Sequence, residues 1–239
     1  MVNLFKKLNL PNKALKILTF LLMGDLFYIF LHLIHKAARH FDVFTVIRSN
    51  NAFAIYYDLS LGESYQYLKE YWIILVFLWL IFRKNQNQYL GWFGLFLYML
   101  LDDMLSFHEG LATFLLQTMK IDPFHVILGE LRYQDYGELG VSVFFGVLFV
   151  SLLGISYFRG SREVKSTFHY LLGGLMLVVF FGVFTDFVNR VFTEDDSKML
   201  YEISRLIEDG GEMLSMSIMS WYVYTLTEPD SVSELPEKS

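Results

Sequence analysis

Acidic and histidine side chains recur at the ends of the apolar segments of this 239-residue chain. The stretch LLDDMLSFHEG at 100–110 places Asp102, Asp103, His108 and Glu109 after a run that otherwise suits lipid. Carboxylate and imidazole together are suitable ligands for Zn, Mn or Fe. The same groups transfer protons near neutral pH. Two chemistries are therefore open, metal binding and proton transfer.

Two further apolar segments carry the same residue types at helical spacing. Asp25, His32 and His35 lie on one face of the first segment and form a polar stripe. Near the C-terminus, Glu208 and Glu212 form an i, i+4 pair. An ionised group near the centre of a bilayer costs roughly 2.5 to 3.5 kcal/mol. These side chains must therefore be protonated, paired or bound to a metal.

The composition indicates a polytopic membrane protein that is entirely α-helical. Hydrophobic residues make up 54% of the chain and aromatic residues 18%, with a mean hydropathy of +0.40. Runs such as YWIILVFLWLIF are apolar all round, unlike the helices of a soluble domain. The absence of cysteine excludes disulfides and thiolate chemistry. No cluster of basic residues suggests binding to nucleic acid.

Apolar runs that approach the roughly 20 residues needed to cross a bilayer predict the spans. Residues 1–227 are expected to form one transmembrane domain, and the tail 228–239 is expected to be acidic and disordered. The six predicted spans are 15–36, 68–83, 89–109, 138–158, 167–190 and 205–227.

The orientation of the spans follows from their basic flanks. Lysines precede the first span, and the short loops RKNQNQ and RGSREVK follow the second and fourth. Because Lys and Arg concentrate on the cytoplasmic side, both termini are predicted to be cytoplasmic. The loop 37–67 is then external.

Depth counting places the acids of two spans at a similar level. Counting ~1.5 Å per residue from Tyr89 puts Asp102 about 20 Å across a core of ~30 Å. The last span runs inward from about Arg205, so Glu212 lies about 10 to 12 Å below the outer boundary.

Because five spans each bring a carboxylate to the external side, we expect one outward-facing pocket. The wall of this pocket is predicted to include, in addition to the candidate metal ligands and general bases, Asp25, His35, Glu63, Glu109, Glu138, Asp186 and Asp209.

The first functional hypothesis is a metal-dependent reaction at this pocket, in which a divalent cation such as Zn, Mn or Fe neutralises the acids. Its candidate ligands are His32, Asp102, His108 and Glu212, with Asp103 or Glu208 as general base. Water on the metal would attack an ester or amide of a lipid-like substrate. Neither H-E-x-x-H nor the Glu-x-x-His pairs of di-iron bundles occur, so no known metal-binding motif supports this hypothesis.

The second hypothesis is a proton- or cation-responsive transporter or sensor. The polar stripe from Asp25 through His32 to His35 resembles the chains used in proton relays. The cytoplasmic halves of the spans carry few polar groups, which disfavours an open channel.

A third hypothesis is a membrane assembly protein whose acidic external face binds another membrane protein. The aromatic loop FDVFTVIRSNNAFAIYYDLS could dock such a partner or cover the pocket. A purely structural role for the acids, as helix caps and ion pairs, is the remaining alternative. The sequence does not choose between enzyme and non-enzyme.

Three stretches, YYDLSLGESYQYLKEYW, LYMLLDDMLSFHEG and IEDGGEMLSMSIMSWYV, resemble a group of uncharacterised bacterial multi-pass proteins. That group shares an acid before the second span, a D-[DE]…HE motif in the third and an E-[ED]…EM motif in the last. The resemblance implies a bacterial inner-membrane setting and no particular activity. It marks as signature positions Glu63, Asp102, Asp103, His108, Glu109, Glu208, Asp209 and Glu212.

Overall fold

The computed structural model describes residues 12–57, 59–128, 131–185 and 198–228, and these are almost entirely helical. The helices are α1 Asn12–Phe41, α2 Thr45–Ser49, α3 Leu61–Lys84, α4 Leu90–Leu105, α5 Phe107–Thr118, α6 Tyr133–Arg159, α7 Arg162–Val179 and α8 Lys198–Thr225. Single 3-10 turns, Asn51–Phe53 and Asn87–Tyr89, precede α3 and α4, and a π-helical turn, Phe180–Phe184, continues α7. Before α6 lies a small antiparallel hairpin of Val126–Leu128 and Leu131–Arg132.

Within the described residues, four helical segments are long and apolar enough to cross a membrane: Lys13–Phe41, Leu61–Lys84, Tyr133–Arg159 and Val164–Gly182. The bent pair Asn87–Leu105 and Phe107–Thr118 makes a fifth if it counts as one span. These helices indicate a membrane protein. The helix α8, predicted as a sixth span from 205, begins at Lys198 and does not meet the same criterion of length and apolarity.

The second apolar helix begins seven residues earlier than the sequence predicted. The Ser60 hydroxyl accepts the Glu63 N–H at 3.2 Å, and the Glu63 carboxylate accepts the Leu59 N–H. Such capping satisfies N–H groups that the first helical turn leaves unpaired. Because α3 starts at Leu61, Lys69 lies about 12 Å along the helix and not at its end.

The third predicted span is interrupted. It breaks at Ser106, whose φ of 46° is left-handed, and the helices on either side meet at a bend of 76°. The Asp102 carboxylate accepts the backbone N–H of His108 at 2.8 Å, so it caps the helix after the break. The polar end of this segment therefore lies at a helix break and not at the end of a straight span.

The chain divides into two compact units, Met1–Val76 with Tyr170–Ser239 and Phe77–His169. In the first unit, α8 packs against α1 and the π-helical turn. A Cβ at Gly211 would collide with the Phe181 ring, so glycine allows this close approach. The side chains of Met213, Met216 and Met219 are buried, as expected for core methionines.

The second unit has an aromatic interior. Trp92 and Phe96 are buried, and Trp92 packs edge-on against Phe168 at 5.4 Å between ring centroids. Tyr98 stacks on Phe145 at 4.5 Å. These contacts join α4 to α6 and α7 without any buried charge among the residues described in this unit.

Two of the sequence predictions fall outside the described residues. Asp186, predicted to line the pocket, follows the last described residue of that segment. The tail from 229 onward is likewise outside.

Candidate functional site

The polar stripe of α1 faces the interior of the first unit. The residues Asp25, His32 and His35 are each no more than 2% exposed, whereas Leu26 and Leu33 on the same helix are about half exposed or more. A helix in lipid turns its apolar side outward and its polar side toward other helices. The stripe predicted from spacing alone is therefore a buried surface.

Asp25 forms a buried ion pair with a lysine that the sequence analysis did not single out. The Lys69 ammonium donates to Asp25 Oδ1 at 2.8 Å, and the two side chains are 1% and 0% exposed. It also donates to the Met213 carbonyl at 2.8 Å and to the Ser217 hydroxyl at 3.2 Å. An ammonium has three N–H donors, so all of them are used.

This ion pair links three helices. Asp25 lies on α1, Lys69 on α3, and Met213 and Ser217 on α8. A second contact between α3 and α8 lies beside it, because the Ser220 hydroxyl donates to the Lys69 carbonyl at 3.3 Å. A change of charge at the pair would therefore act on all three helices.

Aromatic side chains lie beside the pair. The Lys69 ammonium lies 4.6 Å from the centre of the Tyr65 ring, and the Tyr65 hydroxyl donates to the Leu21 carbonyl at 3.0 Å. Tyr65 packs against Tyr28 at 5.2 Å between centroids. Tyr28 lies on the same face of α1, three residues after Asp25 and four before His32, so a line of polar side chains runs from Asp25 toward His32.

The charges at the pair are not evenly matched. Asp25 Oδ2 is buried and has no hydrogen-bond partner among the described residues. Glu70, which follows Lys69, is also fully buried, and its charge acts on Lys69. A buried carboxylate oxygen without a hydrogen bond is costly, so the ionised form of Asp25 depends on the Lys69 ammonium.

The importance of Lys69 and Glu70 was missed because the second span was predicted to begin at 68, which placed both at the membrane boundary. A signal was available in the sequence. Ser60 and Glu63 have the S-x-x-E spacing of a capping box, which predicts a helix that starts near 61.

The histidines of the stripe contact the segment between α1 and α3. His35 Nδ1 lies 2.7 Å from the Ile47 carbonyl, and His32 Nδ1 accepts the Ile55 N–H at 3.4 Å. Their rings are thus held by backbone groups of the loop.

The acids in the middle of α8 form a second polar group in the first unit. Arg205 pairs with Glu208 at 3.3 Å, and the charges of Glu208 and Glu63 both act on Asp209. The Glu212 carboxylate packs against Gly182 of the π-helical turn. The contact is so close that a Cβ at this glycine would collide with the carboxylate. The charge of Glu63 thus reaches Asp209, and the pocket that these acids were predicted to share stays a prediction.

The candidate residues of the third and fourth predicted spans lie in the second unit. Asp102 Oδ1 is 2.8 Å from His108 Nδ1, so these two predicted metal ligands contact each other directly. Asp103 and Glu109 are exposed. Glu138 accepts a hydrogen bond from Gln134 at 2.8 Å.

The four predicted metal ligands divide between the units. His32 and Glu212 belong to the first unit, and Asp102 and His108 to the second. Among the described residues, no three histidine, aspartate or glutamate side chains are close enough together to hold a metal ion. The metal hypothesis gains no support here, and the single pocket that joins all four ligands stays a prediction.

Comparison with known proteins gives a family and no activity. No curated protein and no solved structure is significantly similar to the chain. Residues 17–227 match a domain of unknown function, DUF8692, and this range includes α1 from residue 17 onward and all the later helices. The chain therefore belongs to the DUF8692 family.

Proposed function

We propose that this protein is a proton-responsive membrane transporter or sensor whose responding group is the ion pair of Asp25 and Lys69. One observation carries the proposal: a fully buried ion pair joins two helices that are apolar enough to cross a membrane. Ionisable residues at such positions are expensive and commonly belong to proton relays or substrate pathways.

The response follows from the charges around Lys69. A proton added to Asp25 removes the negative charge that faces the ammonium at 2.8 Å. The ammonium then keeps the Met213 carbonyl, the Ser217 hydroxyl, the Tyr65 ring and the field of Glu70. Because its direct ionic contact to α1 is lost in a low-dielectric interior, the three helices would move to a second arrangement. Protonation is thereby converted into a conformational change.

The local charges favour this proposal over metal-dependent hydrolysis of a lipid-like substrate. A metal was invoked because several acids near one another must be neutralised. At Asp25 the Lys69 ammonium already supplies positive charge. Near Glu208 the Arg205 guanidinium does the same.

The proposed setting is the bacterial inner membrane, with six spans and both termini in the cytoplasm. Basic residues support this orientation: Arg83 and Lys84 end α3, and Arg159 ends α6. In the proposal the bent pair α4–α5 and the helix α8 each count as one span, which gives an even number of crossings. The positive-inside rule then places these basic ends on one side.

The test is proton movement across proteoliposomes. Purified protein is reconstituted with a pH-sensitive dye inside, a potassium potential is imposed, and internal acidification is recorded. The pH dependence of tryptophan fluorescence is measured on the same samples, because Trp221 lies on α8 one residue after Ser220. Influx identifies a transporter, and a fluorescence transition without influx identifies a sensor.

Variants connect either response to the pair. Asp25→Asn should abolish it, and the double variant Asp25→Asn/Lys69→Met, which removes both charges, controls for misfolding. Asp135→Asn is the matched control, since Asp135 forms an exposed pair with Arg132. A wild-type protein with neither response, or a response that survives in the folded double variant, would overturn the proposal.

A further inference from the structure

We propose that residues 45–57, here termed the flap, are held closed by the neutral imidazole of His32 and released when that imidazole gains a proton. The inference goes beyond the proposed function, because it concerns another group and a different segment. It rests on contacts between the outer half of α1 and the flap.

The flap is held by backbone contacts to two buried rings. His35 Nδ1 lies 2.7 Å from the Ile47 carbonyl, near the start of the flap. His32 Nδ1 lies 3.4 Å from the Ile55 nitrogen, near its end. Both imidazoles are no more than 2% exposed. The two histidines are three residues apart, so a single face of α1 holds both ends of the flap.

The two contacts require defined protonation states. The Ile55 N–H is a donor, so His32 Nδ1 must carry no proton in order to accept it. The Ile47 carbonyl is an acceptor, so His35 Nδ1 must carry one. A doubly protonated His32 would point an N–H at the Ile55 N–H, and the hydrogen bond would be lost. The closed flap is therefore compatible only with neutral His32.

The surroundings of His32 include charges from each neighbouring element. On α1, the Lys36 ammonium disfavours a positive charge on His32, and a protonated His35 would do the same. On α8, the Glu202 carboxylate favours a positive charge on His32, and it also forms an ion pair with Lys36. On the flap, the Tyr56 ring meets the His32 ring edge-on at 5.4 Å.

Lys36 gives the flap a third attachment. Its ammonium lies 4.4 Å from the centre of the Tyr56 ring. This contact keeps the flap attached at one point while the histidine contact is released. Opening is then a local movement of the flap and not its unfolding.

The flap has one buried and one exposed side, which makes its opening measurable. Ala54 is 0% exposed, whereas Val46 is 75% exposed. Because the chain contains no cysteine, a single introduced thiol reports on one position without background. Ala54→Cys reports opening, and Val46→Cys corrects for the effect of pH on the thiol reagent.

The experiment compares labelling of Ala54→Cys and Val46→Cys between about pH 7.5 and about pH 5, a range that spans the usual titration of histidine. We expect the labelling ratio to rise roughly five- to tenfold at the lower pH, as loss of one hydrogen bond implies. Adding His32→Gln, which keeps an acceptor that does not titrate, should abolish the rise. His40→Gln is the control, because His40 is an exposed histidine of the same helix.

A constant labelling ratio, or a rise that persists with His32→Gln, would overturn the inference. Tryptophan fluorescence of the same samples separates this failure from that of the proposed function. If the fluorescence transition occurs while the flap stays closed, the Asp25 proposal is supported and the inference about the flap is wrong. If the flap opens without a fluorescence transition or proton influx, the inference about the flap is supported and the Asp25 proposal is wrong.

Discussion

At the scale of single residues, the interior of the first unit is organised around one cation. Lys69 reaches an acid, a carbonyl and a hydroxyl, and each of its donors has a partner. Burial of two charges is costly, and their attraction repays this cost only when the remaining donors are satisfied. The geometry meets that condition for Lys69 and leaves Asp25 with one unused oxygen among the described residues.

This asymmetry predicts the stability of variants. Lys69→Met leaves the Asp25 carboxylate buried and uncompensated, and should lower the free energy of unfolding by about 3 to 5 kcal/mol. Asp25→Asn should cost a similar amount, while the double variant should cost less than the sum of the two. Denaturant titration in micelles measures all three. Additive effects would show that the two side chains do not interact.

At the scale of elements, the break at Ser106 gives the polar end of the third predicted span a structural role. Asp102 accepts both the backbone N–H and the ring Nδ1 of His108, each at 2.8 Å. The carboxylate thus caps α5 and fixes the orientation of the imidazole. Acids next to a break satisfy N–H groups that a straight helix would have paired internally.

We therefore expect Asp102→Ala to lower the free energy of unfolding by about 1 to 2 kcal/mol, as loss of a helix cap does. Asp103→Ala, at the adjacent exposed position, should change it by less than about 0.5 kcal/mol. Thermal unfolding of the two variants gives the comparison. Equal effects of the two substitutions would contradict a capping role for Asp102.

At the scale of the whole molecule, the number of membrane crossings decides which helix ends face the outside. Thiols introduced one at a time into the cysteine-free chain report this directly. In intact cells, an impermeant reagent should label Asn50→Cys and leave Gln86→Cys and Ser161→Cys unlabelled until the cells are opened. Labelling of Gln86→Cys from outside would overturn the proposed orientation.

The sequence predicted the helical fold because long apolar segments admit few other structures in a bilayer. Helix bounds were less accurate where polar residues occur inside an apolar helix. Lys69 and Glu70 interrupt the apolar pattern, so the predicted second span began at 68 and not at Leu61. The break at Ser106 was missed because neither glycine nor proline marks it in the sequence.

By itself the sequence determined a membrane-type helical protein and the buried stripe of Asp25, His32 and His35, because helical spacing fixes which side chains share a face. Only the tertiary structure decided the partners of that stripe. Lys69 is 44 residues from Asp25, and Met213 is 144 residues from Lys69. Spacing along one helix carries no information about which other helix lies opposite. The choice of a lysine over a metal as the partner of Asp25 therefore depends on packing.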